Sequence, residues 1–150
     1  MTNTAPTAPH TTDAQDRNIE TMRRIYAEIF GDGRLELIDE LFDPNLINHT
    51  APEPHRHGTA PIKALVAMLR SAFPDGRTDF EDFVASGDVV VGRNWYAGTH
   101  LGEFMGNAPT GRGFRFRQMH WMRFSPEGRV VEHWGLRDDV THLQQLGILS

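Results

Sequence analysis

The sequence predicts an α+β domain in which helices pack on one face of a curved sheet. Three observations lead there. Apolar residues recur at helical spacing up to about residue 73. From residue 78 onward the runs alternate and are rich in β-branched and aromatic residues. The two longest such runs, GFRFRQMHWMRF and RVVEHWGLRDD, are joined by Ser125-Pro126-Glu127-Gly128, a residue order that favours a type I turn. Helices first and a strand meander afterwards give a helical layer against a sheet.

The 150 residues suffice for one domain with a substantial core. Residues 1–12, rich in Thr, Ala and Pro, read as a disordered tail, and residues 13–150 as the folded unit. The absence of cysteine excludes disulfides and thiolate metal sites. A net charge of −5 without a Lys/Arg run argues against nucleic acid as the main partner. No apolar stretch approaches the roughly 18 residues of a membrane span, and no secretory signal is apparent, so a soluble cytoplasmic protein is expected.

In chain order, Thr12 or Asp13 caps a helix to about Phe30, with Ile19, Met22, Ile25, Tyr26 and Ile29 as its buried stripe. Gly31-Asp32-Gly33 ends it, and a short helix follows from Arg34 to about Phe42. Residues 43–58 hold three prolines and read as a loop with a short strand near Leu46–His49. Thr59 and Pro61 open a third helix that buries Ile62, Leu65, Val66, Leu69 and Phe73. Strands follow at about Thr78–Ala85 and Asp88–His100, and the glycine-rich stretch 101–112 reads as a loop over the mouth of the fold. Residues 141–147 suit a closing helical turn.

A four-residue loop at Ser125 would set Phe124 opposite Arg129, His120 opposite His133, Met122 opposite Val131 and Gln118 opposite Gly135, all on one face. The other face would carry Met119, Trp121, Val130, Trp134 and Leu136. Both faces are too apolar for water, so one covers a core or cavity and the other is expected to meet a second subunit.

His120 and His133 are the strongest candidates for chemistry, because imidazole exchanges protons near neutral pH and a facing pair resists double charging. Asp138 and Asp139, at the strand end, could orient a histidine or act as base, or could equally cap the last helix. His49 could point into the cavity mouth or stand in a solvated loop. Arg93, among valines and Trp95, needs an anionic partner, either an internal carboxylate (Glu81, Asp82 or Glu132) or a ligand. His55 and His57 alternate as metal ligands can, but a solvated loop is favoured over a zinc site.

AFPD at 72–75, GTHLGEFMG at 98–106, PTGR at 109–112, GRVVEHW at 128–134 and QLG at 145–147 together resemble the SnoaL-like polyketide cyclase and ester cyclase family. The resemblance implies the cone-shaped α+β barrel of the nuclear transport factor 2-like superfamily, with three helices and a curved antiparallel sheet around an apolar pocket. It also implies cofactor-independent aldol closure of a polycyclic aromatic polyketide, with no metal, or the ring hydroxylation performed by sister proteins. His49, His120 and His133 match pocket positions of the family, and Arg93 matches a recurrent arginine. Family members usually place the suspected acid/base aspartate where this chain has Gly135. The expected site is then His120 as acid/base with His133 or Asp138, in a pocket that includes His49, Arg93, Trp95, Phe116, Gln118, Met122 and Gly135. A pocket protein that binds an apolar ligand without catalysis is the third alternative. A carboxylate buried near His120 would favour proton abstraction, whereas a wholly apolar pocket with His120 bonded only to backbone would favour binding.

Overall fold

The computed structural model describes residues 10–150, so most of the expected N-terminal tail lies outside the described residues. Helix α1 (Asp13–Arg24) starts at Thr12, whose hydroxyl accepts from the Gln15 backbone N–H while the Gln15 side chain accepts from the Thr12 N–H. This reciprocal cap satisfies two of the donors a helix start leaves open. The helix continues as a π-helical segment, Ile25–Gly31, whose wider turns carry Ile25, Tyr26 and Phe30 across the sheet. A 3₁₀ turn (Leu35–Leu37) leads into the single-turn α2 (Ile38–Leu41). Strand β1 (Phe42–Asn48) follows, then α3 (Ala60–Ala72), β2 (Arg77–Ser86), β3 (Val89–Thr99), β4 (Gly113–Phe124), β5 (Val130–Arg137) and α4 (Asp139–Leu146).

The strands form one curved, open sheet in the order β1-β5-β4-β3-β2, with the helices packed on it. The α+β class stands as expected, with two differences in detail. The sheet is not closed, and the short strand expected near Leu46–His49 is the end of a longer edge strand, β1, which runs parallel to β5. Pro44 concealed its first half, since proline removes a ladder donor, but an edge position tolerates the loss.

The β4–β5 register differs from the one counted from the turn. Gly128 N–H donates to the Ser125 carbonyl as a type I turn requires, but Ser125 N–H also reaches the Arg129 carbonyl, and a bulge follows at Val131. Phe124 therefore pairs with Val130, Met122 with His133, His120 with Gly135 and Gln118 with Arg137. The total slip is two residues, which preserves the faces. His120 and His133 still share the inner face, now as diagonal neighbours. Val130 crosses over: it is fully buried with Phe124 in the core and does not belong to the outer face.

The inner face carries two apolar clusters. One joins Met22, Ile25 and Ile29 to Leu46, Val90, Met122 and Phe124, and the other is aromatic, built from Phe73, Phe104, Phe114 and Phe116 around His142. The loop 101–112 packs against this second cluster. Leu101 and Gly102 donate to the Ala72 carbonyl at the end of α3, Phe104 is buried, and no residue of the loop lines the cavity described below. It is thus a plug at the aromatic end and not a cover over the mouth. The plug needs glycine at 102, because a Cβ there would overlap the Ser71 carbonyl oxygen. Gly102→Ala is expected to lower stability by about 3 kcal/mol, the cost of forced overpacking, as read by urea denaturation. An unchanged midpoint would mean that the loop does not need this close approach.

Candidate functional site

Between the π-helical segment, α3 and the inner sheet face lies a cavity of about 90 Å³. Its apolar wall is Ile25, Phe30, Phe42, Ile62, Leu65, Leu69 and Met122. Its polar wall is Tyr26, Asn48, Gln118, His120, His133 and Arg137, with Gly135 among them. Strand alternation supplies most of the polar wall. Gln118, His120 and Met122 are every second residue of β4, and His133, Gly135 and Arg137 every second residue of β5.

The polar side chains form one hydrogen-bonded chain. Asn48 Oδ1 accepts from the Thr50 N–H and lies 2.9 Å from His133 Nδ1, so that nitrogen carries a proton. His133 Nε2 then accepts from His120 Nδ1 at 3.1 Å. His120 Nε2 faces Gln118 Oε1 at 3.2 Å, and Asn94 Nδ2 donates to the same oxygen at 3.1 Å. An oxygen facing Nε2 requires a hydrogen there. The arrangement therefore completes every bond of the chain when the histidine pair holds one extra proton.

The surroundings hold the resting pair neutral. Burial first, then the His133 ring and Arg137, keep His120 well below the usual histidine range. His133 is lowered to about 4, by burial and then by Arg137 and His49. The Tyr26 ring lies 4.5 Å from that of His120, and burial keeps its phenol protonated far above its usual range against the opposing pull of Arg137. The result is a neutral site whose hydrogen bonds are arranged for a cation.

Gly135 accounts for how two imidazoles fit. A Cβ at this position would sit 3.2–3.3 Å from His133 Cε1, His133 Nε2 and His120 Nδ1, the atoms of the imidazole–imidazole contact. The histidine pair fills the space into which a side chain at 135 would project. The site therefore matches neither simple discriminator drawn from the sequence. No Asp or Glu lines the cavity, yet His120 bonds to side chains and not to backbone alone.

Among the expected site residues, Gln118, His120, Met122, His133 and Gly135 converge on the cavity. The others lie elsewhere. Asp138 is an exposed cap of α4, its carboxylate accepting from the Thr141 N–H and hydroxyl and held low by those bonds. Asp139 is exposed and pairs with Arg137 at 3.3 Å. His49 leaves β1 on the outer side, where it stacks on Trp134 at 3.9 Å and meets Glu132. Arg93 is on the outer face in a two-bond pair with Asp82, supported by Glu81. Trp95 shares that face, with Arg115 and Arg117 over its ring and its N–H on Glu81. Phe116 is on the inner face but stacked on His142 in the aromatic cluster, away from the cavity lining. His57 sits beside Glu53, at 3.6 Å.

Tyr26, Asn48, Thr50 and Arg137 were not among the expected site residues. Arg137 was within reach, because alternation from His133 through Gly135 leads to it. Tyr26 had already been placed on the buried stripe of the first helix. Asn48 ends the short strand expected near Leu46–His49, but its place beside His133, like that of Thr50, depends on the parallel pairing of β1 with β5, which the sequence does not reveal.

The neutral pair has a consequence for stability. Both histidines bind protons less readily folded than unfolded, so the unfolded state holds more protons between about pH 4 and the ordinary histidine value near 6.5. Stability is complete above that window and falls as pH drops through it. The expected loss from His133 alone is about 3 kcal/mol by pH 4. Thermal unfolding between pH 4 and 7.5 should show it, and His133→Gln should flatten the slope. An unaltered slope in the variant would place the acid sensitivity elsewhere.

Comparison with known proteins shows the family. The description of the SnoaL-like polyketide cyclase family matches residues 20–146. The chain is 26% identical over 132 residues to the aklanonic acid methyl ester cyclase DnrD of Streptomyces peucetius, covering 86% of this chain and 90% of that protein. Among solved structures, IdmH of Streptomyces antibioticus, a candidate polyketide cyclase, is 33% identical with a TM-score of 0.74, covering 87% of this chain and 98% of its own. AclR of Streptomyces galilaeus, a candidate hydroxylase, is 27% identical with a TM-score of 0.78, covering 91% and 99%. None of the described helices is long and apolar enough to cross a membrane. With the match running through nearly all of its helices and strands, the chain belongs to the SnoaL-like polyketide cyclase family.

Proposed function

We propose that this protein catalyses an intramolecular aldol-type closure of an aromatic polyketide, with the His120–His133 pair in place of a carboxylate base. The observation that carries this reading is the hydrogen-bond chain from Asn48 to Asn94, complete when the pair holds one proton more than it does at rest. Preorganised polar groups of this kind stabilise a charge only when it forms. His120 Nε2 takes a proton from a carbon flanked by carbonyls. The enolate carbon attacks a ketone of the same molecule, forming the C–C bond. The proton then passes to the new alkoxide, so the product is an isomer of the substrate.

Depressed basicity suits such a step, since only an unusually acidic C–H yields its proton to a weak base, and unactivated positions are spared. The cavity of about 90 Å³ is below the roughly 150 Å³ that holds benzene in an engineered site. A ring substrate therefore requires the walls to move, and Leu65 and Leu69 of α3 and Arg137 at the rim are the side chains to do so. His120→Gln should lower the rate by roughly 10²–10⁴, the usual worth of a positioned acid/base. The assay is conversion of aklanonic acid methyl ester, the compound in the name of the relative DnrD, and of the corresponding free acid in parallel. Gly135→Asp should fold and raise the histidine pKa values in an NMR titration, since a carboxylate beside the pair favours its charged form. Wild-type rates in His120→Gln would sink the proposal.

A second reading, ring hydroxylation by dioxygen with an external two-electron reductant and water as the second product, is favoured by the missing carboxylate at 135 and the likeness to AclR. Product mass separates the two, because closure leaves it unchanged and hydroxylation adds one oxygen.

The outer sheet face completes the proposal. Trp134, Met119 and Leu136 are exposed there around an apolar groove, rimmed by ion pairs of both signs, Arg93–Asp82, Arg117–Glu81 and Arg123–Asp88. A patch that carries its own complementary charges suits a second copy of the chain. Trp121→Glu with Trp134→Glu should give monomers in sedimentation, where the unaltered protein should give dimers. A monomeric wild type at tens of micromolar would overturn this.

A further inference from the structure

We infer that Arg137 makes the cavity rim a carboxylate subsite, so that the preferred substrate is a polyketide bearing a free acid and not its methyl ester. This rests on the aldol reading only for the site it concerns. The lining holds two neutral imidazoles, two protonated phenols and one guanidinium, with no carboxylate among the residues that form it. The one cation facing a ligand is thus Arg137, whose partner Asp139 stands outside the lining. Gly135 brings no carboxylate to this wall, and two residues along the same face Arg137 supplies an attraction for an anion.

The placement of Arg137 is consistent with a ligand role. It stands on the inner face of β5, paired across the ladder with Gln118 and beyond the histidine pair. Its carboxylate contact is Asp139, two residues on and 3.3 Å away, with both side chains about half exposed. Such a pair is weak and readily exchanged for an incoming carboxylate, which the planar guanidinium can grip with two hydrogen bonds. Positions two apart on a strand are about 6–7 Å from one another. A carboxylate held at Arg137 would then lie about one aromatic ring from the level of Gly135, where His120 Nδ1 meets His133. The same separation brings an acidic carbon on the adjoining ring to the histidines.

Calorimetric titration without turnover tests the assignment, using anthraquinone-2-carboxylate and its methyl ester, with benzoate and methyl benzoate as single-ring probes. The acid should bind at least tenfold more tightly than the ester to the unaltered protein. In Arg137→Gln the ratio of acid to ester affinity should fall to about one, and Arg137→Lys should retain part of the preference. Equal affinity of acid and ester, a preference that survives Arg137→Gln, or no binding of either carboxylate would each overturn the inference. The outcome is separable from that of the aldol reading. An acid preference with no closure activity fails only the proposed reaction, and closure activity with no acid preference fails only the subsite.

Discussion

The cavity end of this fold depends on one hydrogen bond between two imidazoles, His120 Nδ1 to His133 Nε2. Both rings are taken from water, and a buried polar group without a partner is costly. Each ring can be satisfied only if the other is placed correctly. Asn48 fixes the tautomer of His133 from one side, and Gln118 with Asn94 closes the chain from the other. The constraint therefore links β1, β5, β4 and β3 through side chains as well as through backbone ladders. It also explains a glycine in mid-strand, where a side chain would press on the contact between the rings.

Much of this was legible from alternation alone. The turn at Ser125 located the hairpin, and a slip of two residues left the parity of His120, His133, Gln118 and Gly135 intact. What parity cannot show is which face of a strand is the inside. For β3 the choice fell to Val90, Asn94 and Tyr96, which put Arg93 and Trp95 outside. The carboxylate partners of Arg93 were among those expected, Glu81 and Asp82, whereas the arginines stacked on Trp95 come from a neighbouring strand that a single-strand reading does not reach. His49 failed for a related reason. Its direction is set by a parallel pairing between β1 and β5 that joins residues 85 positions apart in the chain. Asp138 was a balanced case, because a carboxylate before a helix serves as a cap wherever a free N–H is within reach.

The two ends of the inner face solve different problems. Toward the aromatic cluster, His100 and His142 are buried among phenylalanines, and His142 is lowered to about 4, chiefly by burial. There the imidazoles act as flat rings in a packed interior. Toward the cavity, the same residue type is arranged in a chain with polar ends. The chemistry of a histidine in this fold is thus decided by what stands at its second nitrogen, and not by burial, which both pairs share.

The π-helical stretch Ile25–Gly31 bears on how such a pocket could have arisen. A π-turn accommodates one residue more than an α-turn while the helix axis continues, which makes it the natural outcome of inserting a single residue into an existing helix. The register of Met22 and the capped start of α1 then need not change, while the side chains beyond the insertion are turned to a new bearing over the sheet. Tyr26 and Phe30, which face the cavity, lie in that stretch. A change in chain length by one residue is thus a means of remodelling the pocket wall in a single step, with the opposing strands and their hydrogen-bonded histidines left as they were.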